Sequence, residues 1–275
     1  MTQRRQLLLV AALSGGLVLA VLPWLPMADP AATELSARLL RPGHGGHVLG
    51  TDALGRDMAA RLLHALRLSL GVGALGVCAA AGVGSALGVS AAYFGGKVDA
   101  VLMRGVDVLL SFPYLLLALA IVAVLGPGLL NATLAIAVVN VPFFARTLRG
   151  VALSVMTEEY VSAARAMGGS SWRVITRHVL PSLYEPLVVA SATAAGWVIV
   201  ETAGLGFLGL GAQPPRADLG TMVGQSRHLL VVAPHATLLP AACLAAVVLL
   251  LNLAASALTR RRDRHVRSSP RLRNR

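Results

Sequence analysis

EEYVSAARAMGGSSWRVITRHVLP, residues 158–181, is the longest stretch in the second half of the chain that is too polar to lie within a membrane. Its first part is rich in residues that favour helices. Tyr160, Ala163, Ala164 and Met167 recur at helical spacing, which places them on one face. Because that face is mostly small, the sequence predicts a helix that can press its backbone close to a partner.

A pair of glycines divides this stretch into two helices. Glu159 falls in the first turn, where the helix dipole favours negative charge, and Gly168 stops the first helix. One of the two serines that follow can cap a second short helix, which Pro181 is expected to end. Taken alone, this pattern also fits an ordinary amphipathic loop helix between membrane spans.

The stretch resembles the EAA loop of permease subunits in binding-protein-dependent ABC importers. The family pattern is Glu-Ala-Ala, three residues, Gly, nine residues, Ile, one residue, Leu-Pro, and the matching positions are Ser162, Ala163, Ala164, Gly168, His178, Leu180 and Pro181. Ser162 replaces the family's Glu, and His178 replaces its Ile. In that family the loop forms the coupling helix that docks on the ATPase. The resemblance therefore implies an ATPase-coupling role for Glu159, Tyr160, Ala163, Ala164, Arg165, Gly168 and Pro181.

The composition is that of a polytopic membrane protein. Of the 275 residues, 56% are hydrophobic and only 13% are charged, and the mean hydropathy is +0.72. Much of the net charge of +12 lies at the chain ends, so it indicates membrane orientation rather than nucleic-acid binding. Cys78 and Cys243 both lie in apolar segments and imply neither a disulfide framework nor a metal cluster.

Six apolar runs approach the length that crosses a bilayer. They are residues 7–25, 68–94, 101–125, 129–144, 187–205, and a sixth run that begins near 234–240 and ends at 258. The second run is rich in glycine and alanine, which permit close helix packing in membranes. The predicted fold class is all-α, with six transmembrane helices, and the resemblance implies the type I ABC importer permease fold.

The spans divide the chain into three parts. Residues 1–67 are predicted to form an N-terminal anchor helix and an extracytoplasmic segment. Residues 68–258 form the transmembrane core, which includes a cytoplasmic coupling loop at 153–181. Residues 259–275 form a basic cytoplasmic tail, so both termini are expected in the cytoplasm. One feature argues against this orientation. The first outer segment carries more basic residues than the positive-inside rule predicts for that side, namely Arg38, Arg41, Arg56, Arg61 and Arg67.

Two further stretches resemble the dipeptide, oligopeptide and nickel branch of the family. LGTDALGRDMAARLLHALRLSL, residues 49–70, is similar to the branch pattern GTDxLGRDxxSRLxxGxRxSL. ETAGLGFLGLGAQPPRADLG, residues 201–220, is similar to E-x-x-LSFLGLGxxPPxxxWG. Within the first stretch, Asp52 or Thr51 can close a turn and Asp57 can cap the helix that follows.

Polar side chains inside or beside the spans suggest specific contacts. Glu201 lies at membrane depth, where a carboxylate is costly. It either makes a structural hydrogen bond between helices or lines the substrate path. Arg104 and Asp107 lie one turn apart and can pair, and Pro113 interrupts the third span.

The resemblance implies an inner-membrane permease subunit that forms half of a translocation path for peptides, with nickel or another small solute as the alternative. It implies a homologous permease that completes a heterodimer, two ATPase subunits that bind the ATP, and an extracytoplasmic substrate-binding protein. Membrane lipid is a further expected partner, and nucleic acid is not expected to bind. No catalytic, cofactor or metal residues are predicted in this chain, so it is not expected to be an enzyme. A secondary transporter, the less favoured alternative, would need intramembrane ion sites, whereas Glu201 stands nearly alone at membrane depth. An intramembrane enzyme would need a clustered nucleophile, base or metal set, whereas His178, His228 and His235 are scattered across loops.

Overall fold

The computed structural model describes residues 28–268, with side chains up to residue 259. The predicted first span, residues 7–25, and the last seven residues of the basic tail lie outside the described residues. Across residues 28–268 the regular structure is helical, and the only β pairing is two isolated bridges in the segment before the first long helix. This confirms the all-α class.

Nine α-helices follow one another along the described chain. They are α1 (Met58–Phe94), α2 (Gly96–Leu110), α3 (Tyr114–Leu125), α4 (Leu129–Met156), α5 (Glu159–Ala166), α6 (Ser171–Val174), α7 (Leu180–Phe207), α8 (Leu219–Ser226) and α9 (Pro234–Ser268). A π-helical turn, Ile175–Val179, joins α6 to α7.

Four segments of this range are long and apolar enough to cross a membrane: Met58–Phe94, Leu129–Met156, Ser171–Phe207 and Pro234–Thr259. The count becomes five if the pair formed by α2 and α3 is taken as one span. The total of six spans remains a prediction, because it also needs residues 7–25.

The predicted third span is not one straight helix. Its two halves, α2 and α3, meet at an angle of 91° across Ser111–Pro113. Proline has no backbone N–H and disfavours helical geometry at the residue before it. The interruption predicted at Pro113 is therefore confirmed, and the bend is large enough to turn α2 away from the direction of α3.

Close packing of α1 against α4 forms the centre of the bundle. An added Cβ at Gly84 would lie 2.6 Å from the Cβ of Phe144 and 2.7 Å from the carbonyl oxygen of Val141. One turn further on, a Cβ at Gly88 would meet the backbone of Ala145 and Arg149. The small residues of the second span thus allow close helix contact, as the sequence predicts.

The segment before α1 is held by the residues that the sequence indicates. Asp52 accepts hydrogen bonds from the backbone N–H groups of Leu54 and Arg56 at 2.8 and 3.0 Å. Asp57 caps α1 by accepting from the N–H of Ala60 at 2.8 Å. A second oxygen of Asp57 lies 2.7 Å from the ring of His47. Both the turn and the cap are confirmed.

Pro181 does not end a helix, contrary to the prediction. The π turn runs into α7 without a break, so that Ser171–Phe207 is one apolar segment of 37 residues. Pro181 has no N–H to donate to the preceding turn, and it lies where the helix changes from π to α register, so the chain continues through it as one helix. The N–H of Leu180 bonds to the carbonyl of Ile175, five residues back, which sets the wider π register just before the proline.

Candidate functional site

The predicted coupling segment forms a compact pair of helices between α4 and α7. Gly168 has φ +80°, a left-handed conformation that suits glycine, and it follows the end of α5. Ser170 then caps α6 by accepting from the N–H of Arg173 at 3.4 Å. The break between the helices and the serine cap are therefore confirmed.

The structure divides the predicted small face of α5 into two. Ala164 is only 6% exposed and packs with Val161 and Val174 in the core of the bundle. Tyr160 and Ala163 are exposed, and Met167 is 82% exposed. Of the four residues predicted to share this face, Ala164 is covered by the rest of this chain, and the other three are exposed.

Trp172 is a candidate contact residue whose role the sequence analysis missed. Its side chain is 76% exposed, whereas Val179, which α-helical spacing would place on the same side, is fully buried. The π turn between them shifts the angular position of the later residues, so α-helical spacing misplaces one relative to the other. A large exposed aromatic side chain beside α5 is typical of a binding surface. We call the exposed residues Tyr160, Ala163, Met167 and Trp172 the docking surface.

Two contacts fasten α5 to the long helices on either side. The guanidinium of Arg165 lies 4.7 Å from the centre of the Tyr93 ring near the end of α1. The hydroxyl of Tyr160 lies 3.0 Å from the hydroxyl of Ser182 in the first turn of α7. A displacement of α5 would consequently be passed to both α1 and α7. Of the other predicted coupling residues, Glu159 and Pro181 are exposed at the ends of this segment.

Two ion pairs connect α2 to the part of α4 that leads into this segment. Arg149 donates from Nε and Nη2 to the two carboxylate oxygens of Asp99, each at 2.6 Å. Arg146 donates from Nη2 to Asp107 at 2.7 Å. The predicted pair between Arg104 and Asp107 is wrong, because a bundle contact with α4 supplies the partner. The bent helix α2 is thus held against α4.

Exchanging the charges of Asp99 and Arg149 tests how strongly these helices are joined. Asp99→Ala and Arg149→Ala should each lower the free energy of unfolding by about 1 kcal/mol, because the bidentate pair is only partly buried. The double variant Asp99→Arg/Arg149→Asp should recover part of that loss. A double-mutant cycle that combines Asp99→Ala with Arg149→Ala, measured by thermal denaturation of the purified chain, would give the coupling energy. If the double alanine variant lost as much stability as the two single variants added together, the pair would contribute nothing.

A second polar group lies inside the bundle, between α4 and α7. The side-chain amide of Asn140 donates to Glu201 Oε2 at 2.7 Å and to the carbonyl of Ile136 at 2.9 Å. The indole N–H of Trp197 donates to Asn140 Oδ1 at 2.9 Å. Glu201 therefore makes the interhelical hydrogen bond that was one of its two predicted roles, and Asn140 and Trp197 are partners that the sequence did not indicate.

At the end of the bundle away from the coupling segment, Asp218 organises the turn between α7 and α8. Its carboxylate accepts from the N–H of Thr221 at 2.8 Å and from the N–H of Ala212 at 2.9 Å. Burial raises the pKa of Asp218, while these backbone hydrogen bonds favour its charged form. The N–H of Leu219 donates to Ser69 on α1 at 3.1 Å. This network explains why the two sequence stretches around 49–70 and 201–220 meet in space.

The structure is that of a polytopic membrane protein, with long apolar helices, a polar hydrogen bond between two of them, and an exposed helix pair fastened to the spans. Residues 84–268 match the family described as binding-protein-dependent transport system inner membrane component, and the chain belongs to this family. It is a permease subunit of an ABC importer.

Relatives in this family are similar over most of the chain. The dipeptide transport system permease protein DppC of Alkalihalophilus pseudofirmus is 43% identical over 84% of this chain and 76% of its own length. The probable D,D-dipeptide transport system permease protein DdpC of Escherichia coli is 45% identical over 75% of this chain and 69% of its own. The glutathione transport system permease protein GsiD of Pectobacterium atrosepticum is 40% identical, covering 78% and 72%.

Solved structures show the same fold at lower identity. A chain of the MetNI methionine ABC transporter, in an inward-facing conformation, superposes with a TM-score of 0.54 at 21% identity, over 73% of this chain and 93% of that one. An amino acid ABC transporter crystallised with histidines gives a TM-score of 0.55 at 16% identity, with coverage of 73% and 93%.

Proposed function

We propose that this permease carries peptides inward across the inner membrane. Three relatives at 40–45% identity are named as permeases for dipeptides, D,D-dipeptides and glutathione, and all of these are short peptides. The chain would form half of the path, and a homologous permease would form the other half as a heterodimer. An extracytoplasmic binding protein would deliver the peptide.

ATP would be bound and hydrolysed by two separate ATPase subunits that dock on this chain. The observation that carries this proposal is the exposed helix pair α5–α6, fastened to α1 by Arg165 and to α7 by Tyr160. Closure of the ATPases would move this pair as a rigid element, and the attached spans would follow and change the access of the path.

Glu201 would face that path with part of its carboxylate while the Asn140 bond holds it in place. Its side chain is half-buried, and the neighbouring Val200 on α7 is exposed. An ionisable group at membrane depth usually faces water or another protein surface. Here both roles predicted for Glu201 are compatible, because one carboxylate oxygen is bound by Asn140.

The test is uptake by the complete importer. The chain, its partner permease, the ATPases and the binding protein would be reconstituted in liposomes and supplied with a labelled dipeptide. We expect ATP-dependent uptake of the dipeptide and stimulation of ATP hydrolysis by the loaded binding protein. Uptake of a non-peptide solute in preference to a broad set of dipeptides would refute the peptide assignment.

The orientation is tested with a reporter that is active only outside the cytoplasm. Fusion after residue 130 or 217 should give an active reporter, since these positions lie at the end of the bundle that carries α8. Fusion after residue 170 or 265 should give a silent one, because the docking surface and the basic tail are expected in the cytoplasm. Activity after residue 170 would contradict the coupling role.

A further inference from the structure

Glu201 is a carboxylate in an apolar helix, and no cation on the described part of the chain neutralises it. It lies in the last two turns of α7, within the apolar segment Ser171–Phe207. Its side chain is bound by the neutral amide of Asn140 and takes part in none of the ion pairs among residues 28–259. A charge at membrane depth is costly unless an opposite charge or water compensates it. Glu201 therefore needs a counter-charge from outside this part of the chain.

One oxygen of this carboxylate is open to a ligand. Asn140 binds Oε2 at 2.7 Å, and Oε1 accepts no hydrogen bond from a described residue. Within the described chain, buried side-chain atoms without a hydrogen-bond partner occur only at Arg61 and Ser85. Oε1 is therefore not enclosed by this part of the chain, which agrees with the half-buried state of Glu201. Gly204, one turn further along the same face, leaves the approach open, since a Cβ there would meet no atom within 4 Å.

Two aromatic rings belong to the same cluster. Trp197 precedes Glu201 by one helical turn, and its indole N–H donates to the same Asn140 amide that binds Glu201. The Phe143 ring on α4 packs edge to face against the Trp197 ring, with centroids 4.8 Å apart. Both aromatic residues are half-buried, so the rest of the described chain does not close them off. A carboxylate grouped with aromatic rings suits an organic cation.

We propose that Glu201 binds the α-ammonium group of the peptide as it crosses the membrane, an inference that rests on the proposed function. The ammonium group donates a charge-assisted hydrogen bond to Oε1 and lies against the rings of Trp197 and Phe143. Asn140 is a positioning residue, because it holds both the carboxylate and the indole. A metal ion fits less well, since the described residues contain no group of three or more His, Cys, Asp or Glu side chains that could hold one.

Direct binding of two peptides that differ only at the amino end tests this contact. The probes are alanyl-alanine and N-acetyl-alanyl-alanine, and the sample is the assembled permeases and ATPases in nanodiscs of phosphatidylcholine. The binding protein is left out, so that any selection between the probes belongs to the membrane complex. Affinity is measured by ligand-observed NMR. We expect the acetylated peptide, which has no ammonium group, to bind about tenfold more weakly or worse, since a charge-assisted hydrogen bond is lost.

Glu201→Gln assigns this selection to the carboxylate. Glutamine keeps the shape of the side chain and an oxygen that can accept from Asn140, but it removes the charge. The variant should bind alanyl-alanine about tenfold more weakly and should no longer distinguish it from the acetylated peptide. Glu185→Gln is the matched control, because Glu185 is the other carboxylate of α7 and is exposed in the second turn, far from this cluster. It should select between the peptides like the parent.

Each other outcome overturns the proposal. Equal affinity of the parent for the two peptides, or no binding of either, would exclude recognition of the ammonium group. Selection that persists in Glu201→Gln would place the ammonium group elsewhere. If Glu201→Gln no longer co-purifies with the partner permease, the carboxylate pairs with that subunit instead. Peptide uptake by the complete importer is measured in parallel. Uptake by the parent together with any of these results refutes the ammonium site alone, whereas a lack of uptake refutes the proposed function.

Discussion

Ala163→Arg is expected to reduce peptide uptake by roughly tenfold or more while the protein remains folded. Ala163 is exposed on the docking surface beside Tyr160, so the new side chain meets no part of this chain. It would stand between α5 and the ATPase and prevent close approach of the two backbones. We expect stimulation of ATP hydrolysis by the binding protein to be lost together with uptake.

Two matched variants separate this effect from a folding defect. Ala163→Ser keeps the small side chain and should transport like the parent. Ala164→Arg adds the same large side chain one residue away, but Ala164 packs in the core with Val161 and Val174, so that this variant should fail to accumulate in the membrane. Accumulation is measured by membrane fractionation and assembly by co-purification with the ATPase subunits. Normal uptake by Ala163→Arg would show that the docking surface is not the coupling element.

Much of the coupling segment could be predicted from the sequence because its signals are local. The glycine break after α5, the serine cap of α6 and the aspartate cap of α1 each depend on residues within a few positions of one another. Such signals act on the backbone directly, and distant packing does not change them. The apolar runs are equally local, because the length of a span is set by the bilayer.

The contacts that depend on the bundle could not be predicted in this way. Asp107 has Arg104 one turn away, but it pairs with Arg146, 39 residues further along the chain. Ala164 is buried and Ala163 is exposed because only one side of α5 faces Val174. Helical periodicity defines a face of the helix, but it does not say which neighbour covers that face. The hydrogen bond between Asn140 and Glu201 spans 61 residues and requires α4 and α7 to be adjacent.

The meeting of the two family-like stretches at the α8 end has a similar cause. Ser69 on α1 bonds to the N–H of Leu219 across 150 residues of sequence. Each stretch indicates only a turn followed by a helix. The contact between α1 and the start of α8 depends on the packing of the whole bundle, and no local signal in either stretch indicates it.

The second large effect is expected where α1 crosses α4. A Cβ at Gly88 would meet the carbonyl oxygen of Ala145 and approach the backbone nitrogen of Arg149 to 2.9 Å. Both atoms belong to the helix backbone and cannot rotate away, so the two helices would have to separate. Gly88→Ala should therefore lower the free energy of unfolding by about 1–3 kcal/mol, the usual cost of overpacking a core.

Gly82 provides the control on the same helix, because a Cβ there would have no atom within 4 Å. Gly82→Ala should leave stability unchanged or raise it by up to about 1 kcal/mol, since alanine favours the helix more than glycine does. Both variants would be unfolded with sodium dodecyl sulfate in mixed micelles, and the loss of helix would be followed by circular dichroism. Equal stability of the two variants would show that α1 and α4 can move apart without cost, and that close packing through Gly88 does not hold the bundle together.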